Sequence, residues 1–171
     1  PIRGQITYVP AASLKPPQVV LTGRGYVLPA SAGRVVVGST YDRNNDDPEP
    51  QLQSHQSNLL RLAQLLPEAQ LEGAVGFRCV APDRMPLVGA MPDVDACRAQ
   101  ASALSGAHLA DLPRAPGLYC ASAYASRGLV WAALAGEMLA SLIEGDPLPL
   151  EGDLADELDP GRFVLKQARR G

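Results

Sequence analysis

The chain has few of the residues that build metal sites and disulfide frameworks. Its 171 residues include three cysteines and two histidines. Cys79, Cys97 and Cys120 are far apart in sequence, and neither His55 nor His108 has metal-ligand spacing around it. Structural zinc sites use closely spaced cysteine and histidine ligands, and secreted disulfide domains use even numbers of cysteines. The composition therefore favours free thiols in a reducing cytoplasm and predicts no metal.

Lysine is almost absent, because Lys15 and Lys166 are the only two and arginine supplies the remaining basic side chains. The formal net charge of −3 argues against nucleic-acid binding by bulk charge alone. Arginine suits bidentate recognition of carboxylate or phosphate better than lysine does. No signal peptide is visible, and the longest apolar run, residues 128–143, is too short for a membrane span and contains Glu137.

The common nucleotide-binding and hydrolase motifs are missing as well. There is no P-loop, and Ser126 is not part of a G-x-S-x-G elbow. The near match to G-x-G-x-x-G, "GRGYVL" at residues 23–28, lacks the third glycine and a following helix. No pair of carboxylates stands out as a general acid and base. The usual catalytic groupings are therefore absent.

The patterns that are present predict an α+β fold with most strands in the first half and a mainly antiparallel sheet. Strands are predicted at residues 4–10, 18–22, 25–30, 34–40, 71–82 and 117–126. The early strands are short and are separated by proline and glycine, which indicates hairpins or a meander. Residues 41–50 and 83–93 are predicted to be loops, and residues 95–106 a short helix.

Two longer helices are predicted. In residues 51–66, apolar side chains recur at helical spacing, at Leu59, Leu62, Ala63 and Leu66. In residues 128–143, apolar side chains leave little polar face, so other elements should cover most sides of this helix. Ser126 is its expected N-cap, and Gly145 stands where a terminating glycine belongs.

Two arginines are candidates for anion binding. Arg127 stands at the start of the helix at 128–143, where the partial positive charge of the helix already favours anions. Arg78 lies within the strand predicted at 71–82. Each has an ordinary alternative, because Arg127 can bend to solvent and Arg78 can point to the solvated face of its strand. The functional alternative for both is a guanidinium that holds a carboxylate in a cleft.

Three segments resemble D-amino-acid-oxidase-like flavoenzymes. "PIRGQITYVP" resembles the strand that opens their substrate domain, and "GFRCVAPDRMPLVGAMPD" resembles their return to the flavin domain. "GLYCASAYASRGLVWAALAGEMLASLI" is similar to their last strand and helix. "GSTYDRNNDD" and "LDPGRFVLK" favour the branch found in bacterial bifunctional enzymes that modify the wobble uridine of tRNA. The resemblance covers essentially the whole chain.

This resemblance implies an FAD-dependent oxidoreductase that removes the carboxymethyl group from 5-carboxymethylaminomethyl-(2-thio)uridine in tRNA. It also implies a methyltransferase module in the same cytoplasmic polypeptide. Arg78 matches the arginine expected near the substrate carboxylate, and Arg127 is a second candidate for that role. The turn expected to face the flavin O2 edge comprises Ser126, Arg127, Gly128 and Leu129. Tyr41 and Arg43 follow a substrate-domain strand and are expected to line the cleft.

Two other functions stay open: an oxidase part for a small free amino acid or amine, and a non-catalytic binding domain. Under the oxidoreductase interpretation, residues 1–76 are a portion of the substrate domain. Residues 77–150 are then the C-terminal segment of the FAD domain, and residues 151–171 are a tail. Without the rest of the flavin domain, the helix at 128–143 should expose apolar surface. We therefore expect a homodimer or other contacts between chains.

The chain starts at Pro1 and contains no glycine-rich pyrophosphate loop, so we expect a fragment of a longer protein. Such a fragment should neither hold FAD tightly nor turn over substrate, because most of the FAD site is missing. The visible absorption spectrum of the purified 171-residue protein checks this expectation. Near-stoichiometric bound flavin would contradict it.

Overall fold

The computed structural model describes residues 1–60 and 71–169. The chain divides into two compact units, Pro1–Arg78 and Cys79–Gly171. No helix in the described residues is long and apolar enough to cross a membrane.

The first unit is built on a five-stranded antiparallel sheet. Its strands are β1 (Ile2–Pro10), β2 (Leu21–Thr22), β3 (Tyr26–Val27), β4 (Arg34–Gly38) and β5 (Glu72–Arg78). Their order across the sheet is β2-β3-β4-β1-β5, which places the first strand between two later ones. The α+β prediction with a mainly antiparallel sheet is confirmed, although β2 and β3 are shorter than predicted. The "GRGYVL" segment spans the turn and strand β3 of this meander, so it forms no nucleotide-binding loop.

One helix, α1 (Leu52–Leu60), packs on one face of this sheet. The apolar core beneath it contains Val9, Val35, Val37 and Leu59. The described part of the helix predicted at 51–66 is confirmed. Residues 62, 63 and 66, which contributed to its apolar spacing, lie outside the described residues.

Polar side chains of β1 also face α1 and are buried there. Thr7 Oγ1 lies 2.9 Å from His55 Nδ1, and Asn58 Nδ2 donates to the Gln5 carbonyl oxygen at 3.0 Å. Gln5, Thr7 and Asn58 are all 0% exposed. Buried polar groups of this kind are tolerated because they have hydrogen-bond partners.

The second unit contains an antiparallel pair of strands surrounded by helices. Its elements are β6 (Leu87–Pro92), α2 (Val94–Ala99), α3 (Ala101–Leu104), β7 (Arg114–Ser122), α4 (Gly128–Glu144), α5 (Gly152–Asp156) and α6 (Arg162–Ala168). The core between the strands and α4 contains Val88, Ala135, Met138 and Leu158. The short helix predicted at 95–106 is present as the two short helices α2 and α3.

The prediction of a loop over residues 83–93 is wrong for residues 87–92, which form β6. Pro86 precedes the strand and Pro92 ends it, so neither proline interrupts its interior. Proline is tolerated at strand ends, where a missing N–H breaks no ladder. The outer edge of β6 is also occupied, since the Val88 N–H donates to the Leu158 carbonyl oxygen at 2.9 Å.

The predicted helix at 128–143 is confirmed as α4, and it ends at Gly145 in the left-handed conformation with φ 76°. The N-cap prediction is wrong. Arg127 occupies the N-cap position and no side chain caps the helix, whereas Ser126 lies one residue earlier and is exposed.

The expectation that α4 is covered on most sides is also wrong for the described chain. The buried residues of α4 are Ala135, Met138 and Ser141. Leu129 is 99% exposed and Val130 is 79% exposed. The expectation that this helix would expose apolar surface in a chain without the rest of the flavin domain is confirmed.

Two arginine–aspartate pairs hold the C-terminal residues within the second unit. Arg114 donates to both carboxylate oxygens of Asp159, at 2.9 and 3.0 Å. Arg162 donates to both oxygens of Asp83, at 2.8 and 3.1 Å. The Arg162 hydrogen bond is the main cause that lowers the pKa of Asp83. Bidentate pairs fix orientation as well as distance, so residues 152–168 pack as part of this unit.

His55 should make the first unit less stable in mild acid. Burial lowers the pKa of His55 from its ordinary value of 6.5, so the unfolded chain takes up a proton at higher pH than the folded chain does. Stability should therefore fall as pH decreases through 6.5, by at most about 1.4 kcal/mol between pH 7.5 and 5.5. Urea unfolding at these two pH values measures the loss. His55→Gln should reduce it, whereas His108→Gln should not. An equal loss in wild type and His55→Gln would contradict the assignment.

Candidate functional site

Arg78 ends β5 and is held against the segment that follows β4. Its Nη2 atom donates to Ser39 Oγ at 2.7 Å, and its Nη1 atom lies 3.4 Å from the Thr40 carbonyl oxygen. The guanidinium carbon is 5.8 Å from the centroid of the Tyr41 ring, within the range of a cation–π contact. Tyr41 is 48% exposed. The structure thus brings two of the predicted substrate residues, Arg78 and Tyr41, together.

Glycine at position 4 makes room for this guanidinium. Residues directly opposite each other in an antiparallel pair share a face, and the register pairs Ile2 with Arg78 and Gly4 with Gly76. A Cβ on Gly4 would overlap the Nη1 atom of Arg78. A Cβ on Gly76 would meet no atom of the described residues within 4 Å. The face of the sheet beside Arg78 is therefore open over Gly76 and filled by the guanidinium over Gly4.

The guanidinium of Arg78 has donors to spare. Among residues 1–60 and 71–169, only Ser39 and Thr40 accept hydrogen bonds from it, and no carboxylate lies within ion-pair distance. A guanidinium carries five N–H donors, so several are available for a further acceptor. Its planar geometry matches a carboxylate or phosphate.

Arg43 does not lie beside the Arg78 guanidinium. It is exposed and lines a polar cavity of about 360 Å³ together with Asn45, Gln53 and Ser57, which Arg78 and Tyr41 do not line.

Sequence reasoning missed two residues that position Arg78. Ser39 accepts a hydrogen bond from it, and Gly4 leaves space for its guanidinium. The available signal was the Gly4–Gly76 pairing, but it becomes visible only once the register of β1 and β5 is known.

The turn between β7 and α4 has an unusual backbone. Ala123 and Ala125 adopt positive φ values of 60° and 53°. Tyr124 between them forms an isolated bridge with Val80, and the Ala125 N–H donates to the Cys79 carbonyl oxygen at 3.1 Å. Positive φ is unfavourable for residues with a Cβ, and such residues concentrate at functional sites.

This turn exposes the N-terminus of α4. The Val130 and Trp131 N–H groups both donate to the Arg127 carbonyl oxygen. In the part of the chain that the structure describes, the N–H groups of Gly128 and Leu129 donate to no backbone acceptor. Free N–H groups and the helix dipole together favour an anion or a carbonyl oxygen at this position.

Arg127 is exposed, but its side chain does not simply extend into solvent. Its Nη2 atom donates to the Arg84 carbonyl oxygen at 2.7 Å. No carboxylate among the described residues pairs with it. The positive charge of the guanidinium therefore adds to the partial positive charge at the start of α4.

Residues 1–142 match the family model for FAD dependent oxidoreductases, DAO. The chain belongs to this family. The α+β fold and the resemblance to D-amino-acid-oxidase-like flavoenzymes are thereby confirmed.

Curated relatives refine the comparison. The chain is 50% identical over 185 residues to the tRNA 5-methylaminomethyl-2-thiouridine biosynthesis bifunctional protein MnmC of Cupriavidus necator. It is 45% identical over 181 residues to the protein of the same name from Paraburkholderia xenovorans. Each match covers 99% of this chain and 28% of the relative. The chain thus spans less than a third of the length of these relatives.

Solved structures show the same fold. Glycine oxidase from Geobacillus kaustophilus matches with a TM-score of 0.63 and 22% identity, over 88% of this chain and 36% of the oxidase. Iminodiacetate oxidase from Chelativorans sp. BNC1 matches with a TM-score of 0.62 and 22% identity, over 88% of this chain and 37% of the oxidase.

The residues present fit one edge of an FAD molecule. Free N–H groups at the start of α4 and the Arg127 guanidinium are donors, as an electron-rich carbonyl edge requires. Arg127, Gly128 and Leu129 supply this surface. Ser126 is next to it without capping the helix.

Gly4→Ala should displace the Arg78 guanidinium, because the added Cβ would occupy the position of Nη1. The NMR signal of the Arg78 Nε–H in the labelled chain reports its surroundings. We expect this signal to shift in Gly4→Ala and to stay in place in the matched control Gly76→Ala, whose Cβ enters open space. A shift of equal size in both variants would contradict the steric explanation.

Proposed function

We propose that this chain is part of an FAD-dependent oxidoreductase that removes the carboxymethyl group from 5-carboxymethylaminomethyl-(2-thio)uridine at the tRNA wobble position. Family membership and 45–50% identity to MnmC proteins over almost the entire chain support this proposal. The chain spans 28% of each of these relatives, and in this proposal the part that it does not cover would supply most of the FAD site.

The geometry of Arg78 is the observation that carries the proposal. The substrate group has a carboxylate two bonds from the nitrogen whose C–N bond is oxidised. Among the described residues, Arg78 keeps donors without an acceptor on a sheet face that is open over Gly76, beside Tyr41. A bidentate contact would fix both the position and the orientation of the carboxymethyl carbon. Tyr41 would cover one side of the guanidinium, and Arg43 is the more distant candidate for contacts with the substrate.

Residues at the start of α4 have a separate role in this proposal. FAD, when bound, accepts the two electrons removed from the C–N bond. Water then hydrolyses the oxidised bond, which releases glyoxylate and leaves the aminomethyl base. The N–H groups of Gly128 and Leu129 and the guanidinium of Arg127 would hold the flavin O2 edge. Positive potential there suits a cofactor that gains negative charge.

The domain assignment follows the same proposal. Residues 1–76 would be a portion of the substrate domain, residues 77–150 the C-terminal segment of the FAD domain, and residues 151–171 a tail that packs on the latter. Its partner would be tRNA, which the name of the relatives includes together with the word bifunctional. A methyltransferase module in the same cytoplasmic polypeptide is the further expectation that the family resemblance implies. Contacts between copies of the chain are a further expectation, supported by the exposed Leu129 and Val130.

An oxidase of a small free amino acid or amine is the second candidate. The structural likeness to glycine oxidase and iminodiacetate oxidase favours it, but at 22% identity that likeness concerns the fold. A non-catalytic binding domain has the least support, because the family match extends over residues 1–142.

The decisive experiment supplies two substrates to the flavin-loaded full-length polypeptide that contains this chain. We expect tRNA bearing 5-carboxymethylaminomethyl-2-thiouridine to bleach the flavin absorption anaerobically and to yield the aminomethyl nucleoside. Glycine and iminodiacetate should react far more slowly. Faster reaction with the free amines would favour the second candidate, and no reaction with any substrate would favour the binding domain.

Substitution of the two arginines tests their separate roles in the same assay. Arg78→Met should raise KM roughly 30- to 150-fold, since a hydrogen-bonded charge contributes about 2–3 kcal/mol. Arg127→Met should lower kcat about tenfold through the loss of positive potential at the start of α4. Arg34→Met, at an exposed position on the same sheet as Arg78, is the matched control and should leave both constants unchanged. Unchanged kinetics in Arg127→Met would contradict a role of that residue at the flavin and leave it with its contact to the Arg84 carbonyl oxygen.

A further inference from the structure

Arg3 is a fully buried cation whose hydrogen-bonding capacity is completely used. Its side chain is 0% exposed. Its guanidinium donates to Asp42 Oδ2 at 3.1 Å, to Ser54 Oγ at 3.3 Å and to Gln5 Oε1 at 3.0 Å. It also donates to the carbonyl oxygens of Asp47 at 2.8 Å and Glu49 at 2.7 Å. Five N–H donors thus meet five acceptors, the full number that arginine can serve.

These acceptors come from three different parts of the first unit. Gln5 belongs to β1, Ser54 belongs to α1, and the other three acceptors belong to the polar segment between β4 and α1. That segment contains no helix or strand of its own apart from an isolated bridge between Arg3 and Asp42. Arg3 therefore holds three points of a stretch that has no helix or strand of its own.

The four residues from Ser39 to Asp42 alternate between two environments. Thr40 and Asp42 face the Arg3 side, where Thr40 Oγ1 donates to Asp42 Oδ2 at 2.9 Å. Ser39 and Tyr41 face the other side, where both contact Arg78. The backbone is fixed from the Arg3 side as well, because Arg3 and Asp42 exchange N–H···O bonds of 3.0 and 2.8 Å. This short segment thus connects the buried Arg3 guanidinium to the candidate carboxylate site.

We infer that the Arg3–Asp42 ion pair is a positioning device that holds Ser39 and Tyr41 where they orient Arg78 toward the substrate carboxylate. Arg3 is a positioning residue, because it is fully buried and acts through the segment 39–42. The guanidinium of the Arg3–Asp42 pair is fully buried, whereas the Asp42 side chain is 32% exposed. An ion pair with a buried partner adds little to stability compared with apolar packing, so the main effect that we assign to this pair is the geometry of residues 39–42. The inference rests on the proposed role of Arg78.

A double-mutant cycle in the flavin-loaded full-length polypeptide tests this inference. Asp42→Asn keeps the shape of the side chain but removes the charge that pairs with Arg3, and Arg3→Lys keeps the charge but removes most of the donors. Each should raise KM for the carboxylate substrate about tenfold and change kcat less than about twofold, because orientation of the bound group is lost. In an Arg78→Met background, the same changes should have no further effect on KM. A tenfold effect that persists without Arg78 would overturn the inference.

Arg114→Lys is the matched control for disruption of an arginine–aspartate pair elsewhere. Arg114 makes four hydrogen bonds, two of them to Asp159, and it belongs to the second unit. Per flavin-loaded molecule, this variant should keep KM and kcat within about twofold of the wild type, since it leaves residues 39–42 intact. An equal rise in KM for Arg114→Lys would show that general destabilisation explains the Arg3 effect and would overturn the inference.

A second measurement does not depend on the proposed reaction. The Arg78 Nε–H signal in the 171-residue chain should shift in Asp42→Asn and stay in place in Arg114→Lys. If the wild-type enzyme shows no activity toward any substrate, the proposed function is contradicted. If the Arg78 signal does not shift in Asp42→Asn, the positioning role is contradicted. If Arg3→Lys fails to fold, Asp42→Asn alone decides the outcome.

Discussion

The buried guanidinium of Arg3 is the interaction on which the first unit depends. A cation without solvent is tolerated only when its donors find acceptors, and here they are provided by a strand, a helix and an otherwise irregular segment. Meeting that requirement ties three residues of the segment between β4 and α1, Asp42, Asp47 and Glu49, to one guanidinium. The same segment carries Ser39 and Tyr41 on its opposite side, so the buried charge and the candidate carboxylate site are parts of one arrangement.

Arginine has a comparable structural role in the second unit. Arg114 and Arg162 each donate two hydrogen bonds to the carboxylate of one aspartate and also donate to backbone carbonyl oxygens. A lysine ammonium could not make such planar, forked contacts. The scarcity of lysine fits this use of arginine, because several arginines bind backbone carbonyl oxygens and aspartates at the same time. Among the described residues, Arg78 and Arg127 pair with no carboxylate and keep donors or charge for a ligand.

Local patterns predicted much of this fold. The β-branched runs of the first forty residues, the helix that begins at Gly128 and its end at Gly145 all follow from short-range spacing and turn chemistry. Strand β6 was missed because Pro86 and Pro92 resemble loop residues until their positions at the strand ends are known. Arg3 was missed for a related reason. Polar residues at alternate positions of β1 look like the solvated face of a strand, and only the packing of α1 buries them.

The sequence by itself determined the family, the order of the main elements and the two arginines that are candidates for anion binding, because these depend on residue identity and local periodicity. Tertiary structure alone decided that Arg78 contacts Ser39, 39 residues earlier, over the space left by Gly4. It also decided that Arg127 turns to the Arg84 carbonyl oxygen, 43 residues earlier. Contacts across such separations depend on strand register and on which face of an element is covered, and no local pattern specifies either.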